Sequence, residues 1–134
     1  MSALSPGVRA LFEGPNFGTI ATVMADGSPQ VSAMWVDTDG EFVLLNTALG
    51  RTKAKNIERD PRVAVSVIDK DNGYRQVTVR GQIVEVSREG ADAHIDKLAK
   101  KYLGLDSYPY RNAAEQRVIL KIRPDRVTRM NVED

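Results

Sequence analysis

Three strand-length runs follow one another closely in the first part of the chain, and short turns separate them. They cover residues 17–24, 30–37 and 41–46. The first turn contains Asp26-Gly27 and the second contains Asp39-Gly40; Asp-Gly pairs are typical of tight hairpins. Because strands joined by such short turns run antiparallel, the spacing predicts an antiparallel sheet of neighbouring hairpins.

Further strand-length runs occupy much of the remaining chain. In residues 62–69, valines alternate with smaller or polar residues, which is the pattern of a strand. Residues 74–87 are long enough for one strand, and Gly81 in their middle predicts a bulge or a barrel corner. Two last strands are predicted at residues 117–123 and 126–131, with a hinge at Pro124-Asp125.

Short helices are predicted at residues 4–12, 51–59 and 91–103. The second ends at Asp60-Pro61, because proline disfavours helical geometry in the residue before it. Six or seven antiparallel strands with so few helices predict a mainly β protein. We expect a closed or partly closed barrel whose openings are capped by two or three short flanking helices. No repeat or linker divides the sequence, so residues 1–134 are expected to form one domain.

Composition excludes several classes of function. The 134 residues include 19 Lys plus Arg and 18 Asp plus Glu, a formal charge of +1, whereas dedicated nucleic-acid-binding domains are usually strongly basic. The absence of cysteine excludes disulfides, thiolate metal sites and cysteine nucleophiles, and no spacing typical of metal ligands is present. Without a signal-peptide pattern or an apolar run of membrane-spanning length, a soluble cytoplasmic protein is expected.

Basic residues are concentrated between the third predicted strand and the second helix. Arg51, Lys53 and Lys55 lie there, where free backbone N–H groups and the positive helix end favour a phosphate or carboxylate. On an ideal helix Arg51 and Lys55 share a face and Lys53 does not. All three reach one phosphate only if Arg51 precedes the first turn. The alternative is a solvated helix with a face of mixed charge.

The second predicted strand has two different faces. Val31, Ala33 and Trp35 form the face that we expect to pack in the core. The other face carries Gln30 and Ser32, whose donor and acceptor groups suit the edge of a heterocyclic ring. An ordinary, partly exposed strand explains the same pattern equally well.

Few residues have the surroundings that acid–base or nucleophilic catalysis needs. His94 is the one histidine, and Asp92 and Asp96 are not at contact spacing from it on a helix. A surface or interface position is therefore predicted for His94. Most aspartates are predicted at turns, where the backbone favours them: Asp26, Asp37, Asp39, Asp60 and Asp71. If the protein is an enzyme, a cofactor is expected to supply the reactivity.

Tyrosines offer a second set of candidate residues. Tyr74 is placed to stack on a ligand or act as a lid, although packing at a sheet rim is the simpler explanation. Tyr102, Tyr108 and Tyr110 lie in or beside an irregular loop at residues 104–114, where they line either a ligand opening or a subunit contact.

Four segments, in this order and spacing, resemble the pyridoxamine 5'-phosphate oxidase-like split β-barrel family. They are Gly-Thr-Ile-Ala-Thr-Val at residues 18–23, Asp-Gly-Ser-Pro-Gln-Val-Ser at 26–32, Arg-Thr-Lys-Ala-Lys-Asn-Ile at 51–57 and Asp-Pro-Arg-Val at 60–63. The resemblance covers residues 17–126. It implies a six- to seven-stranded antiparallel split β-barrel that forms a homodimer, with two cofactor sites at the subunit interface.

The chain differs from the pyridoxamine-phosphate oxidases proper. Its second strand lacks an Arg-x-x-Leu-Leu-Lys-like segment, and we do not expect their C-terminal substrate-binding extension. It is most similar to the short branch that uses the deazaflavin coenzyme F420, a flavin-like ring with a phospholactyl and polyglutamate tail. The resemblance implies F420 as the cofactor, with FMN as the alternative.

The same resemblance implies roles for individual residues. Arg51, Lys53 and Lys55 would hold the phosphate and the start of the acidic tail, and Asn56 would support that corner. Thr47 would face the ribityl chain, and Gln30 and Ser32 would face the ring. Tyr74 and Gln76 match positions that approach the cofactor, commonly from the partner subunit. The cofactor-binding set is therefore Gln30, Ser32, Thr47, Arg51, Lys53, Lys55, Asn56, Tyr74 and Gln76.

The function implied is hydride transfer between F420 and an electron-poor small molecule, without nucleic-acid or membrane partners. Two alternatives keep the same pocket: an FMN-dependent, oxidase-like flavoprotein, and a non-catalytic carrier of F420, flavin or haem. A barrel that binds single-stranded nucleic acid would combine basic and aromatic surfaces, and the near-neutral charge argues against it. No residue is predicted as the catalytic acid.

Overall fold

The computed structural model describes residues 4–133, in which seven strands form one antiparallel sheet. Its elements in chain order are α1 (Pro6–Glu13), β1 (Gly18–Val23), β2 (Pro29–Met34), β3 (Asp37–Thr38), β4 (Val43–Ala48), α2 (Thr52–Arg59), β5 (Arg62–Asp69), β6 (Asn72–Ser87), α3 (Ala91–Leu103) and β7 (Arg117–Met130). The predicted mainly β architecture with short flanking helices is confirmed. Within the described residues, no helix combines the length and the apolar character needed to cross a bilayer.

The order of the strands makes the sheet curl into a half-barrel. Neighbours in the sheet follow the order β2-β1-β5-β6-β7-β4-β3, so β2 and β3 are the two edge strands. These edge strands are consecutive in the chain and only Trp35 and Val36 separate them. Because the three Cα–Cα steps from Met34 to Asp37 span at most about 11 Å, these ends of the two edge strands must lie close to each other. The sheet therefore has the split-barrel form that the resemblance implies.

The core fills the inside of this curl. Helix α1 adds the fully buried Phe12 to this core. Each of the five inner strands contributes a fully buried aliphatic residue: Ile20, Leu45, Val65, Val79 and Leu120. Alternate residues of each strand point inward, as the burial pattern of β5 shows, with Val63, Val65 and Val67 buried. The alternation of valines in the sequence was therefore a correct indicator of the core face.

The prediction for the faces of β2 was wrong. Val31 is 61 % exposed and Ala33 is also exposed, whereas Gln30 and Ser32 are half-buried. Met34, on the same side as Ser32, packs against the core. The reason is that the side with Ser32 and Met34 faces the core inside the curled sheet, whereas no layer of the described chain covers the outer side with Val31 and Ala33. Apolar content alone could not distinguish a core face from an uncovered face.

The irregularity predicted at Gly81 is confirmed, and it coincides with the hinge predicted at Pro124-Asp125, where Asp125 has no paired residue on β6. The prediction of two separate last strands is wrong. The register between β6 and β7 shifts at Arg80/Gly81, and Gly81 lies opposite Pro124. β7 runs without interruption from Arg117 to Met130. Pro124 has no N–H to donate, and the irregular pairing allows it to lie inside a long strand.

Helix α2 begins one residue later than predicted, and this difference matters for the basic corner. Arg51 is its N-cap residue, with an extended backbone (φ −73°, ψ 156°). The helix ends at Asp60, before Pro61, as expected. Arg51 thus precedes the first helical turn, which removes the objection that Arg51 and Lys53 cannot share one site.

Candidate functional site

A cavity of about 250 Å³ lies where the end of β4, the start of α2, helix α3 and the loop after α3 meet. Thr47, Arg51 and Lys53 of the predicted set line it. Its other lining residues are mostly aromatic or apolar: Phe17, Ala33, Met34, Trp35, Asn46, Ile95, Leu98, Tyr108, Tyr110 and Arg117. The structure therefore brings part of the predicted basic corner against a wall of aromatic rings.

Arg51 and Lys53 supply the positive charge at this cavity. The Arg51 guanidinium donates to Glu115 Oε2 at 2.8 Å, in a pair that is exposed to solvent. Lys53 Nζ donates to Ser32 Oγ at 3.4 Å, which links α2 to the polar side of β2. Burial lowers the pKa of Lys53, and the nearby Arg51 and Arg117 lower it further. An anion bound beside Lys53 would stabilise this charge, which the surroundings alone disfavour.

Gln30 and Asn56 are connected to each other away from the cavity wall. Asn56 is buried, and its amide donates to Thr22 Oγ1 at 2.9 Å. The Thr22 hydroxyl donates in turn to Gln30 Oε1 at 3.4 Å. Asn56 thus fixes α2 on β1, while the predicted role at the basic corner remains an expectation. Through Thr22, it also helps to hold the Gln30 side chain in place on β2.

Lys55, Tyr74 and Gln76 lie outside this cavity. Lys55 is exposed on α2, one turn after Arg51. Tyr74 and Gln76 lie near the start of β6, where Gln76 pairs with Ile68 and Met130. Tyr74 is 77 % exposed. One chain therefore gathers three of the nine predicted residues at the cavity and links Ser32 to it through Lys53, whereas Gln30 and Asn56 lie apart from it.

Sequence reasoning missed two prominent cavity residues, Trp35 and Arg117. The Trp35 ring stacks on Tyr102 at 5.1 Å and meets Tyr108 edge-on at 5.9 Å. Arg117 lies over the Tyr108 ring, with its guanidinium carbon 5.4 Å from the ring centroid. Alternation along the second strand predicts a core position for Trp35, but the strand ends before this residue. For Arg117 the sequence carries no signal beyond a charged residue at the start of a strand.

His94 is not the surface or interface residue that was predicted. Its side chain is only 8 % exposed, and its Nε2 lies 3.0 Å from Asp37 Oδ2. Lys97 Nζ also donates to Asp37 Oδ2, at 3.1 Å. Asp37, predicted at a turn, is in fact a buried residue of β3. The prediction considered carboxylates near His94 in sequence, whereas its partner is 57 residues away in the chain.

The hydrogen bonds of His94 and Lys97 to Asp37 should affect the stability of the protein at low pH. Burial by itself raises the pKa of Asp37, but hydrogen bonds from His94, the Thr38 backbone and Lys97 outweigh burial and lower the pKa from 3.8 to about 2. The native state therefore favours the carboxylate, which contributes stability above pH 4 and loses it as the pH falls towards 2. At about 1.4 kcal/mol per pH unit, the contribution is roughly 2 kcal/mol.

Asp37→Asn should therefore lower the free energy of unfolding by about 2–4 kcal/mol at pH 7. About half of the carboxylate's contribution should be gone at pH 3, so the difference from the wild type should shrink there. Urea unfolding at both pH values measures it. Asp106→Asn, at a side chain that is 97 % exposed, is the matched control and should change stability little. A difference that is equal at pH 7 and pH 3 would contradict the assignment.

A larger groove of about 650 Å³ runs along another part of the sheet, beside Ala21, Ala64, Arg80 and Arg126. None of the nine predicted residues lines it. We assign the functional site to the smaller cavity because it combines cations, aromatic rings and buried polar atoms that lack partners. Thr47 Oγ1 and Arg117 Nη1 are both buried without a hydrogen-bond partner among the described residues. Such atoms are rare in native proteins and call for a ligand or another explanation.

The cavity suits a ligand with an aromatic body and an anionic group. Arg51, Lys53 and Arg117 line it, and its lining within residues 4–133 includes no carboxylate. Aromatic side chains bind flat rings by stacking and edge contacts. The described residues therefore offer binding and orientation, and the arrangement shows no nucleophile with an adjacent base.

Comparison with known proteins supports this reading of the fold. A sequence model of the family described as pyridoxamine 5'-phosphate oxidase matches residues 4–131. A pyridoxine/pyridoxamine 5'-phosphate oxidase from Kineococcus radiotolerans is 36 % identical over 90 residues, which is 67 % of this chain and 40 % of that protein. The match thus spans less than half the length of this relative.

Solved structures are similar over almost the whole chain. An F420 reductase superposes with a TM-score of 0.79 and 38 % sequence identity, over 90 % of this chain and 94 % of the other. A conserved hypothetical protein from Mycobacterium tuberculosis has a TM-score of 0.69 and 25 % identity, over 97 % and 84 % of the two chains. With the family match over residues 4–131, these similarities show that the chain belongs to the pyridoxamine 5'-phosphate oxidase family of oxidoreductases.

Proposed function

We propose that this protein is an F420-dependent reductase that transfers a hydride to an electron-poor small molecule. One observation carries the proposal. Arg51, Lys53 and Arg117 line one cavity together with several aromatic rings, and no described carboxylate is among the lining residues. An acidic, flavin-like cofactor has the complementary chemistry. The similarity to a solved F420 reductase, at 38 % identity over 90 % of this chain, supports F420 over other ligands of the family.

The residues present fit such a cofactor. Arg51 and Lys53 would bind the phosphate, and the exposed Lys55 would extend the positive charge towards an acidic tail. Thr47 would donate its buried, unpartnered hydroxyl to the ribityl chain. Gln30 and Ser32 would face the ring from β2, where the Thr22 hydroxyl and Lys53 Nζ already orient them. Asn56 would act indirectly, by fixing α2.

When bound, the reduced deazaflavin ring supplies the hydride. The protein would contribute orientation and electrostatics. Arg51 and Lys53 would hold the anionic end of the cofactor, and Trp35, Tyr108 and Phe17 would exclude water from the cavity. Holding the reacting groups in a fixed geometry is a large part of such catalysis. No described side chain is required as an acid in this scheme.

The proposal includes a cytoplasmic homodimer. Phe17 and Val31 are 63 % and 61 % exposed, and Ala33 beside Val31 is exposed too. These residues lie next to the cavity and at the uncovered side of β2. A second copy of the chain would bury them and bring Tyr74 and Gln76 of the partner subunit towards the cofactor, as the family resemblance implies.

Titration of the purified protein with F420 and with FMN tests the choice of cofactor. We expect F420 to bind at least about tenfold more tightly than FMN, because the tail adds charge-assisted contacts at the basic corner. Quenching of cofactor fluorescence measures both affinities under the same salt conditions. Tight binding of FMN without binding of F420 would instead favour the flavoprotein alternative.

Turnover separates the reductase from a carrier. Reduced F420 bound to the protein should be reoxidised by at least one member of a panel of enones and quinones, and stopped-flow absorbance would follow it. Binding without reoxidation across the panel would favour a carrier of the cofactor.

A further inference from the structure

An arginine with a largely buried side chain, which was not predicted as a site residue, lines the cavity. Building on the proposed function, we propose that Arg117 is a further ligand-binding residue, which holds an anionic oxygen of the cofactor, and that Asn46, His94 and Asp37 position it. The inference assigns binding to a residue of β7 and a positioning role to a hydrogen-bonded chain that spans β4, α3 and β3.

Arg117 is held in the cavity wall by one hydrogen bond. Its side chain is 9 % exposed, and its Nε donates to Asn46 Oδ1 at 2.9 Å. Its Nη1 is buried and has no hydrogen-bond partner in the described part of the chain. Glu115 Oε1 lies 3.9 Å from Nη1, beyond hydrogen-bonding distance, and Glu115 already binds Arg51 at 2.8 Å. The guanidinium therefore retains donor capacity that a ligand oxygen can use.

Electrostatics support an anion at this position. Burial is the largest influence on the pKa of Arg117 and lowers it, and Arg51 lowers it further, whereas Tyr108, Glu115 and Asp92 offset only part of this effect. An arginine nevertheless stays protonated in proteins, so the positive charge remains in the wall. A buried donor without an acceptor is costly, and pairing it with an anionic oxygen removes that cost. Thr47 Oγ1, the second buried atom without a partner among residues 4–133, lines the same cavity.

Asn46 has a single orientation that satisfies its neighbours. Arg117 Nε can only donate, so Oδ1 of Asn46 must face it. Nδ2 of Asn46 then donates to Ala91 O at 2.9 Å and faces His94 Nδ1 at 3.1 Å. Both hydrogens of the amide are thereby used. The amide is fixed, and it fixes Arg117 in turn.

The tautomer of His94 follows from this orientation. Because Asn46 Nδ2 donates to it, His94 Nδ1 accepts a hydrogen bond and its proton lies on Nε2. Nε2 then donates to Asp37 Oδ2 at 3.0 Å. Donors therefore run in one direction from Arg117 through Asn46 and His94 to the Asp37 carboxylate. Such a chain holds each member in one rotamer and one tautomer, which is what a rigid binding residue requires.

Measured affinities for F420 test the binding role. Arg117→Met keeps the length and apolar body of the side chain but removes the charge, and it should weaken F420 binding by about 10- to 100-fold. Arg117→Lys keeps the charge without the Nε donor and should lose less. Arg123→Met removes an exposed arginine that pairs with Asp125, and its affinity should stay within about twofold of the wild type. An Arg117→Met affinity within twofold of the wild type would overturn the proposal.

A double-mutant cycle tests the positioning role. Asn46→Ala should weaken F420 binding in the wild-type background and have little further effect in the Arg117→Met background, since Asn46 acts through Arg117. Purely additive losses would overturn the positioning role. Circular dichroism and unfolding curves of each variant exclude loss of the fold as the cause.

Inorganic pyrophosphate separates this inference from the proposed function. If the wild type binds neither F420 nor FMN, the proposed function is wrong, and pyrophosphate then decides the role of Arg117. A rise in Tm with pyrophosphate that is present in the wild type and much smaller in Arg117→Met supports an anion site. Equal rises in both proteins, or no rise in the wild type, overturn it.

Discussion

Replacing Arg51 and Lys53 together by alanine should weaken F420 binding by at least about 100-fold at low salt. Each side chain loses a charge-assisted hydrogen bond to the phosphate, worth about 1.5–3 kcal/mol. Arg51 should contribute less than Lys53, because Arg51 is 47 % exposed and shares its charge with Glu115. Lys53 is half-buried and has no paired carboxylate among its described contacts. Fluorescence titration of single and double variants measures both contributions.

A charge-matched control separates contact from long-range attraction. Arg123→Ala with Lys100→Ala also removes two positive charges, at exposed side chains that pair with Asp125 and Asp106. Its affinity for F420 should stay within about threefold of the wild type, because neither side chain lines the cavity and each is exposed and already paired with a carboxylate. If the Arg51/Lys53 variant binds as tightly as this control, the cofactor tail is held elsewhere and the assigned roles fail.

Gly81→Ala should destabilise the fold by about 3 kcal/mol or more. A Cβ at this position would lie 1.8 Å from the Arg123 carbonyl oxygen, which belongs to the backbone of the neighbouring strand. The clash cannot be relieved by a side-chain rotation, so β6 and β7 would have to separate at the bulge. Chemical denaturation monitored by Trp fluorescence and circular dichroism would show the loss.

Gly73→Ala is the matched control for this substitution. Gly73 also lies in β6, but a Cβ there would meet nothing within 4 Å in the described structure, and no left-handed φ is required. Its effect should stay within about 0.5 kcal/mol. Equal stabilities of the two variants would mean that β6 and β7 do not approach each other at Gly81 as closely as described.

Local sequence patterns predicted most of the helices and strands. They did not predict which side of β2 is buried. The strand at 62–69 and the helix at 91–103 have the predicted bounds, because valine alternation and an amphipathic stripe are properties of a single segment. For β2 the apolar side proved to be the exposed one, with Val31 uncovered at the edge of the sheet. Alternation indicates that two faces differ, but the neighbouring elements decide which face is buried.

Some residues of the candidate site could be predicted from the sequence and others could not. Arg51 and Lys53 were recognisable because they stand together beside a helix start, and both line the cavity. Arg117 was not recognisable, since it reaches that cavity from the far end of the chain and only the pairing of β4 with β7 brings it close. His94 was misplaced for the same reason: its partners, Asp37 and Asn46, are distant in sequence.

The sequence by itself determined the kind of protein: its strands, its turns, the basic corner and the family resemblance depend on residues that are close in the chain. Only the tertiary structure decided which cations meet, which side of β2 is covered and how Arg117 and His94 are paired. Those properties depend on the curl of the sheet, which joins segments by contacts that no local pattern records. Backbone geometry and hydrophobic alternation act over a few residues, whereas burial and charge pairing act across the whole fold.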